Sequence, residues 1–132
     1  MSAEKFFEDG FGTQVLVRIN RTNIEIYGSD REQASFSISK SKDILNFIYK
    51  GALSVWKNFK PREAFSEGSD YYEFYDRKTD NNGYLSVNNQ AINFCRRCLQ
   101  GETNLWYRFN KAKCQSLIYD ILEYFPDLEV EK

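Results

Sequence analysis

The chain has 132 residues, 22 aromatic side chains, no histidine and a net charge of −1. Its length is that of one ordinary domain, which buries about 70% of the surface of the unfolded chain and needs no disulfide or metal to hold a core. The 42% apolar fraction argues against disorder. The absence of histidine excludes imidazole bases, histidine metal ligands and Ser-His or Cys-His nucleophile pairs. We therefore expect one domain over residues 1–132, with no enzymatic activity, no cofactor and no metal.

Apolar and polar residues alternate along three stretches of the first half, which are Thr13–Asn20, Ile24–Tyr27 and Ala34–Ser39. A period of two is typical of half-buried strands. Because the stretches are separated by short polar turns, the pattern favours an antiparallel β-meander.

The period changes to three or four residues between Ile44 and Phe59. This spacing predicts an amphipathic helix, with Ser41 as its N-cap and Pro61 just past its end. Residues 62–70 are predicted to form a connecting loop.

The second half repeats the scheme with four predicted strands, Tyr71–Lys78, Tyr84–Val87, Ala91–Cys98 and Asn104–Phe109. The Asn82-Gly83 pair favours a hairpin turn with positive φ before the second of these strands. Apolar residues from Cys114 to Phe125 then recur at helical spacing, and Pro126 ends the predicted helix.

The junctions before the two helices, Ile38–Lys42 and Phe109–Lys113, share the order apolar, polar, Lys, small residue, Lys. The sequence thus predicts an α+β fold of two pseudo-repeated units, each an antiparallel meander followed by one helix, with about seven or eight strands and two helices in all. The units span about residues 4–61 and 71–126, and an acidic tail follows over 127–132. The repeat has two alternative explanations, a true duplication and a chance likeness of strand–helix junctions.

This order of elements resembles the Whirly and Pur-alpha families, in which two strand-rich units each end in a helix and bind single-stranded nucleic acid. Asp70–Tyr75, followed by a Gly-containing turn and Tyr84–Val87, is similar to the first hairpin of a Pur repeat. Ser35–Ser39, which runs into the first helix, is similar to its last strand. The lysine-glycine-lysine-alanine motif of Whirly proteins is absent from the chain. The resemblance implies binding of single-stranded nucleic acid.

Aromatic and basic residues are interleaved on the strands of the second half. Single strands bind where bases stack on aromatic rings and phosphates meet Lys or Arg. If the strands near residues 75 and 106 lie in one sheet, an aromatic face must point away from the helix. The candidate nucleic-acid-binding residues on and beside this aromatic and basic sheet face are Tyr71, Tyr75, Arg96, Trp106, Arg108, Lys111 and Lys113.

A second hypothesis is a small inhibitor or immunity-type protein, of phage or bacterial kind, that blocks a partner protein. A near-neutral charge, no catalytic constellation and many aromatic residues support it. The orientation of Trp106, Tyr71 and Tyr75 distinguishes the two, since exposed rings favour nucleic acid and buried rings favour a protein partner. An enzyme that uses carboxylates or tyrosine is a third hypothesis and requires buried, convergent carboxylates.

The charge is unevenly distributed, with a net −4 in residues 120–132 and +3 in the rest. A mildly basic body is compatible with a polyanionic partner. Cys95 and Cys98 fall on opposite faces of a predicted strand, which suits neither metal binding nor a disulfide. With Cys114 they are expected to be reduced thiols of a cytoplasmic protein. No apolar run approaches the roughly 20 residues that span a bilayer, and pairing of edge strands makes a homodimer a further expectation.

Overall fold

The computed structural model describes residues 3–28, 33–64, 71–76, 81–88, 90–96 and 105–124. This part of the chain forms eight strands and two α-helices, which confirms the predicted α+β class. The strands of the first half are β1 (Ala3–Glu8), β2 (Gln14–Ile19), β3 (Ile24–Gly28) and β4 (Gln33–Ser37), and a 3₁₀ turn (Ile38–Lys40) leads to α1 (Lys42–Val55). The second half contains β5 (Glu73–Asp76), β6 (Asn81–Val87), β7 (Ala91–Arg96), β8 (Leu105–Phe109) and α2 (Lys111–Tyr124).

The strands form two antiparallel four-stranded sheets, and each sheet contains strands from both halves of the chain. Sheet 1 has the order β1-β2-β3-β8, and sheet 2 has the order β4-β7-β6-β5. Each sheet takes three consecutive strands from one half and one strand from the other half. The meander expected to run through β4 is therefore wrong, because β4 pairs with β7 in the second sheet. The halves are not self-contained units, and the duplication stays a prediction.

The core lies between the sheets and the two helices. In sheet 1 the alternate side chains of β2, Val15, Val17 and Ile19, are buried, and α1 approaches them closely. An ideal Cβ on Gly51 of α1 would lie 2.3 Å from Cδ1 of Ile19. The opposite faces of both sheets carry exposed polar residues such as Gln14 and Ser86. One face of each antiparallel sheet is thus left open to solvent.

Asp9 links the two sheets. Its Oδ1 accepts hydrogen bonds from the backbone N–H groups of Phe11 (2.9 Å) and Thr13 (2.7 Å), and its Oδ2 accepts one from Ser35 of β4 (3.0 Å). The glycine-containing segment between β1 and β2 is thus a turn closed by a carboxylate. The same carboxylate occupies a backbone donor on the outer edge of β4.

The start and end of α1 differ in detail from the sequence prediction. Ser41 precedes α1, but its hydroxyl donates to the carbonyl of Ile38 (2.8 Å) instead of capping the helix. The helix ends at Val55, well before Pro61, and Asn58 adopts a left-handed φ of 60°. Asparagine tolerates this conformation better than most residues.

The Asn82-Gly83 pair lies within β6 and does not form the hairpin turn that the sequence predicts. Residues 77–80, which connect β5 to β6, lie outside the described residues. An ideal Cβ on Gly83 would lie 1.7 Å from the backbone carbonyl oxygen of Trp106 in β8. Glycine is therefore required here by the close approach of the two sheets and not by a turn conformation.

We expect Gly83→Ala to lower the free energy of unfolding by about 3 kcal/mol, because a backbone atom cannot move aside as a side chain can. Urea denaturation followed by circular dichroism measures the change. Gly10→Ala is the matched control, since no atom lies within 4 Å of its ideal Cβ, and its effect should stay within about 0.5 kcal/mol. Equal stability of the two variants would show that β6 and β8 are not in this close contact.

Candidate functional site

The seven residues predicted to bind nucleic acid separate into a buried and a surface group. Tyr71, Arg96 and Trp106 are 4%, 2% and 3% exposed. The remaining four, Tyr75, Arg108, Lys111 and Lys113, lie at or near the surface. The expected aromatic sheet face does not form, because β5 and β8 belong to different sheets.

Trp106 is buried by a register shift in β8. Ile26 of β3 pairs with Tyr107, but the next residue, Tyr27, pairs with Leu105, which leaves Trp106 as the additional residue. Its indole lies directly on Gly28, where an ideal Cβ would be 1.7 Å from a ring carbon. An extra residue of this kind breaks the alternation of faces. Simple alternation along β8 would place Trp106 on the same face as Arg108, and the register shift prevents this.

Tyr71 has a structural role next to β5. Its hydroxyl donates to Oδ2 of Asp120 in α2 (2.6 Å), and its carbonyl accepts a hydrogen bond from the hydroxyl of Tyr107. Burial and then the hydrogen bond to Asp120 raise the pKa of Tyr71 far above its ordinary value. The ring is a neutral anchor between β5 and α2, and it is not available for stacking on a base.

Arg108 is committed to Glu25 on the exposed face of sheet 1. Its Nε and Nη2 donate to Oε2 of Glu25 at 3.1 and 2.8 Å, and its guanidinium also lies 5.6 Å from the ring centre of Phe74. Oε1 of Glu25 accepts from Asn20 (2.5 Å) and from the hydroxyl of Tyr27 (3.0 Å). Burial alone would raise the pKa of Glu25, but the hydrogen bonds from Arg108, Asn20 and Tyr27 together lower it below 4.5.

The first turn of α2 brings two of the predicted lysines to different neighbours. The ammonium of Lys113 donates to the carbonyl of Glu73 in β5 (2.7 Å). The ammonium of Lys111 donates to the carbonyl of Lys57, just past α1 (2.8 Å). The side chain of Asn110 caps the helix by accepting from the N–H of Lys113 (2.8 Å). The start of α2 thus connects β5 with the segment that follows α1.

That segment is held by Phe59, which is buried between Tyr49 and Trp56 at ring-centre distances of 5.8 and 6.0 Å. The N–H of Arg62 donates to the carbonyl of Gln115 in α2 (3.2 Å). Exposed cations of this segment consequently lie beside those of α2. We call this group the basic end, and it consists of Lys57, Lys60, Arg62, Lys111 and Lys113.

Three members of the basic end, Lys57, Lys60 and Arg62, are not predicted from the sequence analysis. The signal was present, since these three cations fall within six residues directly after the first helix. Charge of the opposite sign lies toward the other end of α2, where Glu123 and Glu63 raise the pKa of Tyr119. The two ends of α2 therefore differ in charge.

Two exposed tyrosines lie in or next to β5, the strand to which Lys113 of the basic end is hydrogen-bonded. Tyr72 and Tyr75 are 56% and 48% exposed, and the ring of Tyr72 lies 5.5 Å from that of Tyr84. Tyr72 directly precedes Glu73, whose carbonyl binds Lys113. The arrangement combines flat rings with cations, the two groups that contact bases and phosphates.

No family model matches this chain, and no curated protein or solved structure matches it either.

The residues that the structure describes contain no group of three or more Cys, Asp or Glu side chains placed to hold a metal ion. Cys95 is exposed, Cys114 is buried, and both are free thiols, whereas Cys98 lies outside the described residues. No described helix has the length and apolar character needed to cross a membrane.

We expect Glu25→Gln to destabilise the protein by about 1 kcal/mol or more at pH 7 and by much less at pH 3. Because the pKa of Glu25 is lower in the folded state, the ionised carboxylate contributes stability above pH 4.5, and this contribution is lost as the pH falls through the folded-state value. Urea unfolding of both proteins at the two pH values measures the difference. Glu8→Gln removes an exposed carboxylate of the same sheet as a control. A difference for Glu25→Gln that stays constant with pH would contradict the contribution of its charge.

Proposed function

We propose that the protein is a non-catalytic module that binds single-stranded nucleic acid at its basic end and on the neighbouring tyrosines. The supporting observation is the pair of hydrogen bonds by which Lys111 and Lys113 join the segment after α1 to β5. Through these bonds, Lys113 lies next to β5, close to the exposed Tyr72, and Lys111 lies next to the segment that carries Lys57, Lys60 and Arg62. This surface replaces the sheet face expected from the sequence.

The chemistry of the basic end suits a flexible polyanion. Lysine and arginine gain affinity for phosphates by releasing counterions, and the start of α2 adds the positive end of a helix dipole. A base stacked on a tyrosine contributes about 1–3 kcal/mol. Two stacked bases and a few phosphates suffice for a dissociation constant in the micromolar range.

The basic-end variant Lys57→Gln/Lys60→Gln/Arg62→Gln should weaken binding of a fluorescent 15-nucleotide single strand at least tenfold in 50 mM salt. The slope of log K against log salt concentration should be less negative by about 2, because three phosphate contacts are lost. Fluorescence anisotropy measures both quantities. The control Lys40→Gln/Lys42→Gln, which removes two cations at the start of α1, should change neither. No binding by the wild type at low salt would refute the proposal.

We expect Tyr72→Ala to weaken binding of the same oligonucleotide about fivefold or more, because one stacked base is lost. The salt dependence should stay that of the wild type, since no cation is removed. Tyr124→Ala is the matched control, as Tyr124 is 49% exposed near the acidic end of α2. An equal effect of the two substitutions would show that the rings beside β5 do not contact bases.

A second candidate function is binding of a partner protein. The burial of Trp106 and Tyr71 favours it, and so does the open face of sheet 2. The described residues of that face include no lysine or arginine, and tyrosine, serine and asparagine are the side chains that adapt well to protein surfaces. The residues that characterise the face are Gln33, Ser35, Ser37, Tyr75, Tyr84, Ser86 and Asn93.

The two candidates respond to different substitutions. Asn93→Arg, in the middle of the open face of sheet 2, should abolish capture of one stoichiometric partner protein. The same substitution should leave binding of an oligonucleotide at the basic end intact. Capture that survives Asn93→Arg would exclude this face as the binding site, and no capture by the wild type would remove the second candidate.

A further inference from the structure

The open face of sheet 1 carries a row of alternating charges. The register pairs Glu4 with Arg18, Arg18 with Glu25, and Glu25 with Arg108. One charge therefore comes from each of the four strands, in the order negative, positive, negative, positive. The ion pairs Arg18–Glu4 (2.9 Å) and Arg108–Glu25 (2.8 Å) show that these side chains lie on one face. We call these four residues the charge row.

A second row on the same face is apolar. Phe6 pairs with Leu16, and Leu16 pairs with Tyr27. Phe6 is 66% exposed, and the guanidinium of Arg18 lies 4.7 Å from the ring centre of Tyr27. The core side chains of β2 and the helix α1 lie on the other face of the sheet, and on the side of the two rows the ring of Phe74 in β5 contacts Arg108.

We infer that this face binds the same face of a second copy of the chain, about a two-fold axis that runs parallel to the strands between β2 and β3. Such an axis reverses the order of the strands. It places Glu4 opposite the partner's Arg108, Arg18 opposite the partner's Glu25, and Leu16 opposite the partner's Tyr27. A two-fold axis across the strands would instead place like charges opposite each other, so the charge row selects one orientation.

A second copy is the occupant for which the surface is already complementary. Two sheets that pack face to face lie about 10 Å apart with strands inclined by about 30°, which preserves the order of the opposing strands. Each arginine has five N–H donors, so the exposed Arg108 can bind both its own Glu25 and the partner's Glu4. The carboxylate of Glu25 is 9% exposed and already accepts four hydrogen bonds, so it attracts the partner's Arg18 through its charge alone. Burial of Phe6 adds apolar area at the contact.

The inferred dimer is compatible with the proposed function and independent of it. Since α1 packs against the opposite face of sheet 1, the segment that follows α1 stays accessible in the dimer. The expected homodimer thus forms through a sheet face, whereas the sequence analysis expects pairing of edge strands.

Sedimentation velocity from about 1 to 500 μM tests the inference, because this range covers the micromolar dissociation constants of weak dimers. We expect twice the chain mass of 15.6 kDa at the upper concentrations. Phe6→Ser should weaken the dimer at least tenfold, and Phe11→Ser, which changes a side chain that is 75% exposed but lies in the β1–β2 turn, should not. A monomer at every concentration would overturn the inference, as would a dimer that is unaffected by Phe6→Ser.

A charge exchange tests the orientation. Glu4→Arg and Arg108→Glu each create like charges opposite each other, so each variant alone should be monomeric. Mixed in equal amounts, they should form a heterodimer, because Arg at position 4 of one chain then faces Glu at position 108 of the other. Circular dichroism verifies that each variant is folded. If Arg108→Glu does not fold, the loss of self-association is measured in the two single variants Glu4→Arg and Phe6→Ser instead. Self-association by either folded single variant would overturn the two-fold arrangement.

Discussion

The contact on which the rest of the structure depends is that of β8 with both sheets. The strand pairs with β3 and so completes sheet 1, while its backbone touches β6 of sheet 2 at Gly83. The hydroxyl of Tyr107 in the same strand binds the carbonyl of Tyr71 beside β5. Because β4 makes the reciprocal crossing into sheet 2, neither half of the chain can form its sheet without the other. We therefore expect the whole chain to unfold as one cooperative unit.

The position of β8 also decides which side chains reach the surface. Its register shift turns Trp106 toward Gly28, and its contact with the second sheet buries Tyr107. The chain then leaves β8 directly into α2, so that Lys111 and Lys113 are placed between β5 and the end of α1. The same strand that removes aromatic rings from the surface thus positions the cations of the basic end.

The charged groups of the protein divide into two kinds according to their neighbours. In the charge row, arginines and glutamates neutralise each other across strands, and Glu25 is stabilised as an anion by Arg108, Asn20 and Tyr27. At the basic end, the two lysine ammonium groups donate hydrogen bonds to backbone carbonyls. The first kind favours a neutral, self-complementary contact, and the second attracts a polyanion.

The sequence by itself determined the secondary structure and the fold class. Residue periods of two and of about three and a half identify β2, β3, β4, β7, β8 and both helices, because these elements have one face in the core. The first strand, Ala3–Glu8, escaped the sequence analysis because nearly all of its side chains are exposed and carry no alternation. Lys111 and Lys113 were recognised because they lie close in sequence to the predicted aromatic sheet.

Only the tertiary structure decided which strands are neighbours, and with that most of the candidate site. Alternation shows that a strand has a buried face but does not identify its partner, so the exchange of β4 and β8 could not be read from the pattern. A one-residue register shift changes the alternation of faces at Trp106. Gly83 is required because the backbones of β6 and β8 approach each other, whereas the Asn82-Gly83 pair by itself predicts a hairpin turn. Lys57, Lys60 and Arg62 join Lys111 because Phe59 packs their segment against Tyr49 and Trp56, and because the N–H of Arg62 donates to the carbonyl of Gln115 in α2. Long-range packing of this kind leaves no local signal, which is the physical reason that the surface differs from the one expected.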